Sequence, residues 1–138
     1  MAIETTVTWR DEMTFDAKLG GHEITMDVGT KFGGRDLGPS PKSLLLPALA
    51  GCTGMDVVSM LKKMRVELSC FTLDVRAEVT DDNPKVFKLI HIVYNFSGKD
   101  LDRSKIERAV ELSQKTYCGV SAMLGKTAEI SYEINISD

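Results

Sequence analysis

Three side chains in this sequence are natural nucleophiles, the cysteines at positions 52, 70 and 118. An odd number of thiols cannot all pair within one chain, so each has to be weighed by its surroundings. Cys52 stands in Leu-Ala-Gly-Cys-Thr-Gly-Met, where small neighbours would let a substrate approach. Reaction there requires a thiolate, stabilised by a cation or a helix N-terminus. The alternative is a small apolar residue inside a core. Cys118 lies in Gln-Lys-Thr-Tyr-Cys-Gly-Val-Ser, at the end of a helical pattern that Gly119 can break, a place for an accessible thiol. With 65 residues between them, Cys52 and Cys118 do not form a CxxC redox motif, and only the fold could bring them together. Cys70, in Ser-Cys-Phe-Thr-Leu, opens a strand and is expected to fill a core or a sheet edge.

Other chemistries find little support. His22 and His91 have no Cys or His at ligand spacing, and neither HExxH nor paired CxxC occurs, so no metal and no cofactor are expected. His91, within a strand, is expected to be a satisfied core histidine. There is no Gly-x-Gly-x-x-Gly, no phosphate-binding Gly-Lys-Ser/Thr and no Gly-x-Ser-x-Gly; Gly33-Gly34-Arg35-Asp36 reads as a turn. The chain has 17 basic and 20 acidic residues, a formal charge of −3, and lacks a basic stripe, which argues against nucleic acid as a partner. Neither a signal-peptide pattern nor an apolar run of membrane-spanning length is seen: Leu44 to Gly51 covers about eight residues against the roughly twenty a span needs. A cytoplasmic protein with no membrane partner is expected, and in a reducing cytosol its thiols stay free.

The elements that must position these thiols follow from periodicity. Ile3 to Trp9 is a strand, and Met13–Leu19 and His22–Val28 alternate around Gly20-Gly21, a hairpin signal. A Gly-, Asp- and Pro-rich loop, Gly29 to Pro39, precedes Ser40-Pro41, which suits an N-cap followed by the first helical residue. From Ser40 to Arg65 the helical pattern is apolar nearly all round, so this helix must be buried on all sides, within its own domain or against a partner. Pro47 should kink it or start a second helix. Strands Cys70–Val79 and Val86–Phe96 flank the turn Asp81-Asp82-Asn83-Pro84. A second helix runs from Asp100 or Asp102 to about Tyr117, with Ser104-x-x-Glu107 able to form a capping box. A short helix, Val120–Leu124, and a strand, Ala128–Ile136, close the chain. With 138 residues this order predicts a single α+β domain, residues 1–138, with a mainly antiparallel sheet.

The stretch Pro41-x5-Pro-Ala-Leu-Ala-Gly-Cys52-Thr, followed by two strands, a helix, Tyr117-Cys118-x-Val120-Ser121 and a terminal strand, resembles the OsmC/Ohr family, the osmotically inducible and organic hydroperoxide resistance proteins. The resemblance covers essentially the whole chain. It implies an OsmC-like fold of antiparallel sheets wrapped around central cysteine-bearing helices in an intertwined homodimer. It also implies a thiol-dependent peroxidase of oxidative-stress defence. Cys52 would be the peroxidatic thiol, attacking an organic hydroperoxide and passing through a sulfenic acid. Cys118 would be the resolving thiol, and an external dithiol such as a dihydrolipoyl protein would reduce the resulting disulfide. The family's hairpin arginine, which steadies the thiolate, falls on Arg10 in Trp-Arg-Asp-Glu, with Arg35 as the alternative.

Two positions depart from the hydroperoxide-resistance pattern. The glutamate that follows the helix-initiating proline and orients the arginine is Lys42 here, and the proline after the resolving cysteine is Gly119. The resemblance is therefore to a less characterised OsmC-like branch. Two other function classes stay open: a ligand-binding or thiol-sensing protein without turnover, and a hotdog-type acyl-thioester binder using Asp56 as its carboxylate.

Overall fold

The computed structural model describes residues 1–138, which divide into two compact units, Met1–Leu45 and Leu46–Asp138.

The N-terminal unit is a three-stranded antiparallel sheet of β1 (Thr6–Asp11), β2 (Thr14–Leu19) and β3 (His22–Met26). Gly20 and Gly21 form the β2–β3 turn at φ +57° and +79°, the paired left-handed conformation that a two-residue hairpin loop demands. The loop that follows is organised by one carboxylate. Asp27, 1% exposed, accepts from the Thr14 hydroxyl at 2.7 Å, from the Val28 amide at 2.7 Å and from the Arg35 and Leu37 amides at 3.4 Å each. These hydrogen bonds hold its carboxyl below the ordinary carboxylate range, the Thr14 bond first among them. The loop also packs so closely on β3 that a Cβ at Gly34 or Gly38 would collide with the Val28 or Thr25 carbonyl.

A 3-10 turn, Lys42–Leu44, leads into α1 (Leu45–Lys63). Pro47 lies in the first turn of α1, where its missing amide costs nothing, so it marks a helix start and not a break. Ser40 does not cap through its side chain; its carbonyl accepts the Leu44 amide, and its hydroxyl meets that of Ser43.

In the C-terminal unit β4 (Cys70–Val79) pairs antiparallel with β5 (Phe87–Ser97). The last strand, β6 (Glu129–Ser137), pairs with β5 in parallel, the one parallel pairing in a mainly antiparallel fold. Its cause is the connection: α2 (Arg103–Leu112), a π turn (Ser113–Tyr117) and α3 (Gly119–Leu124) carry the chain back to the strand's starting end, as a parallel crossover requires. The single sheet expected is thus two, one in each unit.

The core of this unit gathers Leu49, Val57 and Leu61 of α1, Ile90, Ile92, Tyr94 and Phe96 of β5, and Ile106, Ala109 and Val110 of α2. Phe71 stacks on Phe96 with ring centroids 4.4 Å apart. Two local expectations change. Asp102, one of the two caps the sequence offered, caps α2 by accepting from the Ser104 and Lys105 amides, and the Ser104–Glu107 box does not form. His91 is satisfied, by Ser131 at 2.7 Å and Glu133 at 3.1 Å, but on the exposed sheet face and not in a core.

The α1 helix is long and apolar enough to cross a membrane, but its stripe Leu49, Thr53, Val57 and Leu61 is built into this core. Its other side is not covered in the single chain: Met55 is 76% and Val58 48% exposed.

Candidate functional site

The fold brings Cys52 and Cys118 together. Their sulfurs and a carboxylate oxygen of Asp56 all lie within 4.8 Å of one another, and both cysteines are free thiols. Cys52 and Asp56 are four residues apart on α1 and so share one helix face. Cys118 ends the π turn and begins α3.

The π turn explains how Cys118 arrives there. In a regular α-helix residues five apart point about 140° away from each other. Here the wider turn, closed by the Cys118 amide to the Ser113 carbonyl at 2.7 Å, lets Ser113 and Cys118 both serve the same cluster. Ser113 donates its hydroxyl proton to Asp56 Oδ2 at 2.9 Å. Thr53, fully buried, lies 2.7 Å from both Ser113 Oγ and the Tyr94 hydroxyl, and Gln114 Nε2 reaches that hydroxyl at 2.7 Å. Each hydroxyl owns one proton, so the direction of the chain is determined. Gln114 donates to Tyr94, Tyr94 to Thr53, Thr53 to Ser113 and Ser113 to Asp56. A run of neutral donors through the core thus ends on the carboxylate beside the two thiols. Burial pushes the Tyr94 hydroxyl above its ordinary range, although its Thr53 and Gln114 bonds pull the other way.

The two thiols differ in setting. Cys52 is half-buried, while Cys118 is only 3% exposed. Burial raises Cys118 above the usual thiol range and the neighbouring Cys52 adds to this, against the pull of Ser121, whose amide lies 3.4 Å from the sulfur. The Ser121 hydroxyl faces the same thiol but has no hydrogen-bond partner of ordinary geometry. Of the two glycines flanking Cys52, Gly51 leaves open space, while Gly54 lets α1 approach β4: a Cβ there would meet Leu73 Cδ1 at 3.3 Å. An apolar groove of about 630 Å³ runs past Gly51, Gly54, Met55, Val58 and Phe71. A second opening, of about 440 Å³, is lined by Asp56, Lys63 and Tyr117.

Cys70 is exposed at the start of β4, an edge strand, and fills no core. Arg10 and Arg35 belong to the N-terminal unit. Arg10 is forked onto Asp16, Nε to Oδ2 at 2.9 Å and the terminal nitrogen to Oδ1 at 2.7 Å. This pair, with the Thr25 hydroxyl, holds Asp16 below the ordinary carboxylate range. Arg35 donates to Thr14 Oγ1 at 3.0 Å and lies 3.9 Å from Asp11. Residues that sequence reasoning passed over are Thr53, Tyr94, Ser113 and Gln114. Only the polar Thr53 and Asp56 on an otherwise apolar helix could have signalled the network.

Comparison with known proteins agrees with this architecture. Residues 33–133 match the family model OsmC, described as OsmC-like protein. Protein YhfA of Escherichia coli strain K12 is 34% identical over 135 residues, covering 96% of this chain and 98% of its own. The crystal structure of a hypothetical protein from Aquifex aeolicus VF5 superposes with a TM-score of 0.84 at 31% identity, over 100% of this chain and 99% of that one. An OsmC-like protein from Mycoplasma pneumoniae shares the fold, with a TM-score of 0.84 at 15% identity over 100% and 99% of the two chains. The chain therefore belongs to the OsmC-like family and has its α+β fold.

Proposed function

We propose that this protein is a thiol-dependent peroxidase that reduces organic hydroperoxides, working as a cytoplasmic homodimer. The observation that carries the proposal is the pair of free thiols within 4.8 Å, one half-buried and one buried. In this scheme the Cys52 thiolate attacks the peroxide; the O–O bond breaks, the alcohol leaves with a proton, and Cys52 becomes a sulfenic acid. Cys118 then attacks that sulfur, water leaves, and the disulfide forms. An external dithiol of the dihydrolipoyl type reduces it by two thiol–disulfide exchanges. Burial, which raises the Cys118 thiol above its ordinary range, supports Cys52 as the first to attack.

Arg10 is the arginine that steadies the reacting thiolate, with Arg35 as the alternative. A carboxylate is needed to orient that arginine and Lys42 cannot be it; Asp16, already forked to Arg10, supplies one.

Association of two copies is supported by the apolar surface left open. Met55 and Val58 are exposed on α1 beside the groove, and Trp9 and Phe15 are exposed in the N-terminal sheet. Met55→Glu should convert a dimer to a monomer in light scattering; an unchanged mass would remove this surface from the interface.

The activity is tested by steady-state consumption of cumene hydroperoxide with dihydrolipoamide. Cys52→Ser should reduce it to the uncatalysed rate, and Cys118→Ser should permit one turnover, ending in a trapped sulfenic acid. A reversible Cys52–Cys118 disulfide without sustained consumption would instead mark a thiol sensor. Acyl-thioester hydrolysis dependent on Asp56 but not on Cys52 would mark the hotdog-type chemistry.

A further inference from the structure

We propose that Cys52, Asp56 and Cys118, in the reduced protein, form a binding site for one Zn²⁺ ion, and that the bound ion masks both thiols. The second half rests on the peroxidase proposal; the first does not.

A disulfide-forming pair needs only two sulfurs. Here a carboxylate completes a third corner, all three ligand atoms lying within 4.8 Å of one another. Zinc takes thiolate sulfur at about 2.3 Å and carboxylate oxygen at about 2.0–2.2 Å in a tetrahedron. That geometry asks for ligand separations of about 3.5–3.8 Å. The set therefore closes with movements of about an ångström or less. Cys52 and Asp56 are fixed relative to each other on α1, so the adjustment falls on Cys118, at the junction of the π turn and α3. Two soft thiolates with one carboxylate favour zinc over magnesium or calcium.

Electrostatics and the surrounding groups point the same way. Three ligand groups whose coordinating forms are all negative converge within this range, and holding three such charges together without a cation is costly. A divalent cation turns this cost into binding energy. The carboxylate is already oriented by Ser113 at 2.9 Å, itself held by Thr53, the kind of outer-shell support that metal ligands carry. The Cys118 sulfur accepts the Ser121 amide at 3.4 Å. The Ser121 hydroxyl, in a residue only 5% exposed, faces the same sulfur without a hydrogen-bond partner, a buried orphan that a metal-held thiolate or a metal-bound water would satisfy. Asp56 also lines the opening of about 440 Å³, which provides an entry path.

Coordination involves no electron transfer. Both thiol protons pass to solvent, two sulfur–zinc bonds and one oxygen–zinc bond form, and the fourth position is left to water. Sulfur that has donated electron density to zinc attacks a peroxide more slowly than the free thiolate, and a disulfide removes two of the ligands. Metal and oxidant therefore compete for the same atoms.

The test is an anaerobic titration of the fully reduced, chelator-stripped protein with Co²⁺, followed by displacement with Zn²⁺. One equivalent per chain should bind, with thiolate-to-cobalt charge-transfer and tetrahedral ligand-field absorption. Asp56→Asn should weaken Zn²⁺ binding by at least about tenfold, as loss of metal-site partners does. Cys118→Ser should diminish the charge-transfer band, and Cys70→Ser should change nothing, with circular dichroism confirming each fold. Substoichiometric binding, or binding indifferent to both Asp56→Asn and Cys118→Ser, would overturn the site. For the masking, zinc-loaded protein should lose thiols to cumene hydroperoxide at least about tenfold more slowly than metal-free protein; equal rates would overturn it. Metal-free protein that consumes no peroxide would defeat the peroxidase proposal and leave the zinc site to be judged on the cobalt titration alone.

Discussion

The two units bury polar groups by opposite means. In the N-terminal unit the solution is charge: the buried Asp27 gathers a hydroxyl and backbone amides, while at the surface Asp16 forks Arg10. Around it Trp9, Phe15, Leu19 and Ile24 stay exposed, and Ala17 is the one buried apolar residue of its strands. In the C-terminal unit the solution is a chain of neutral hydroxyls running from Tyr94 through Thr53 and Ser113 to Asp56, insulated by Ile92, Phe96 and Val110. The contrast teaches where thiol chemistry can be held. The half-buried sulfur and the buried one beside it sit against an apolar core, which the second unit supplies. The first offers fixed charges, the role in which Arg10 is cast.

The largest test of this division removes the charge that the first unit contributes. Arg10→Ala should reduce kcat/KM for an organic hydroperoxide by roughly a hundredfold, the usual effect of losing one preorganised charge stabiliser. If Arg35→Ala does so instead, the role passes to Arg35, and if neither does, the N-terminal unit has no part in the chemistry.

Next in size is Thr53→Val, which breaks the hydroxyl chain and leaves Tyr94 and Ser113 short of a partner. Denaturant melts should show a loss of about 1–3 kcal/mol. A neutral result would mean that the network is dispensable to the core.

The units should also fail at opposite ends of the pH scale. Asp16 and Asp27 have folded values below the ordinary one, so the native state binds protons less readily than the unfolded chain. Their contribution is complete above about pH 4 and is lost as pH falls through the folded values. Cys118 and Tyr94 are raised by burial, so theirs is complete below the ordinary values and is lost as pH rises. That loss begins at about pH 8.5 for the thiol and about pH 10 for the phenol. Hydrogen exchange across pH should loosen β1–β3 first in acid and β4–β6 first in alkali; the reverse order would break the comparison.

The smallest effect belongs to Cys70→Ser. An exposed edge residue should change stability by no more than about 0.5 kcal/mol and leave peroxide turnover unaltered.

Local pattern made much of this fold legible. Gly20-Gly21 between alternating runs announced its hairpin, and β4 spans the predicted Cys70–Val79 because its alternation and the Asp-Asn-Pro turn beyond it are local signals. The cap of α2 falls on Asp102, one of the two aspartates the sequence offered, because Asp100 and Asp102 carry the same capping signal and only the backbone geometry separates them. His91 was assigned to an interior by residue type, but strand pairing turned it outward; Cys70, read as filling a core or a sheet edge, lies at the edge.

By itself, then, the sequence determined the elements, the resemblance to the OsmC/Ohr family and the two thiols most worth watching, since these depend on neighbours along the chain. The tertiary structure decided the parallel entry of β6, the π turn at Ser113–Tyr117 and the meeting of Cys52, Asp56 and Cys118. The physical reason is one of range: these features join segments with as many as 65 residues between them, and no local propensity encodes a partner at that distance. The carboxylate between the thiols became visible only when α1 and the π turn were packed side by side.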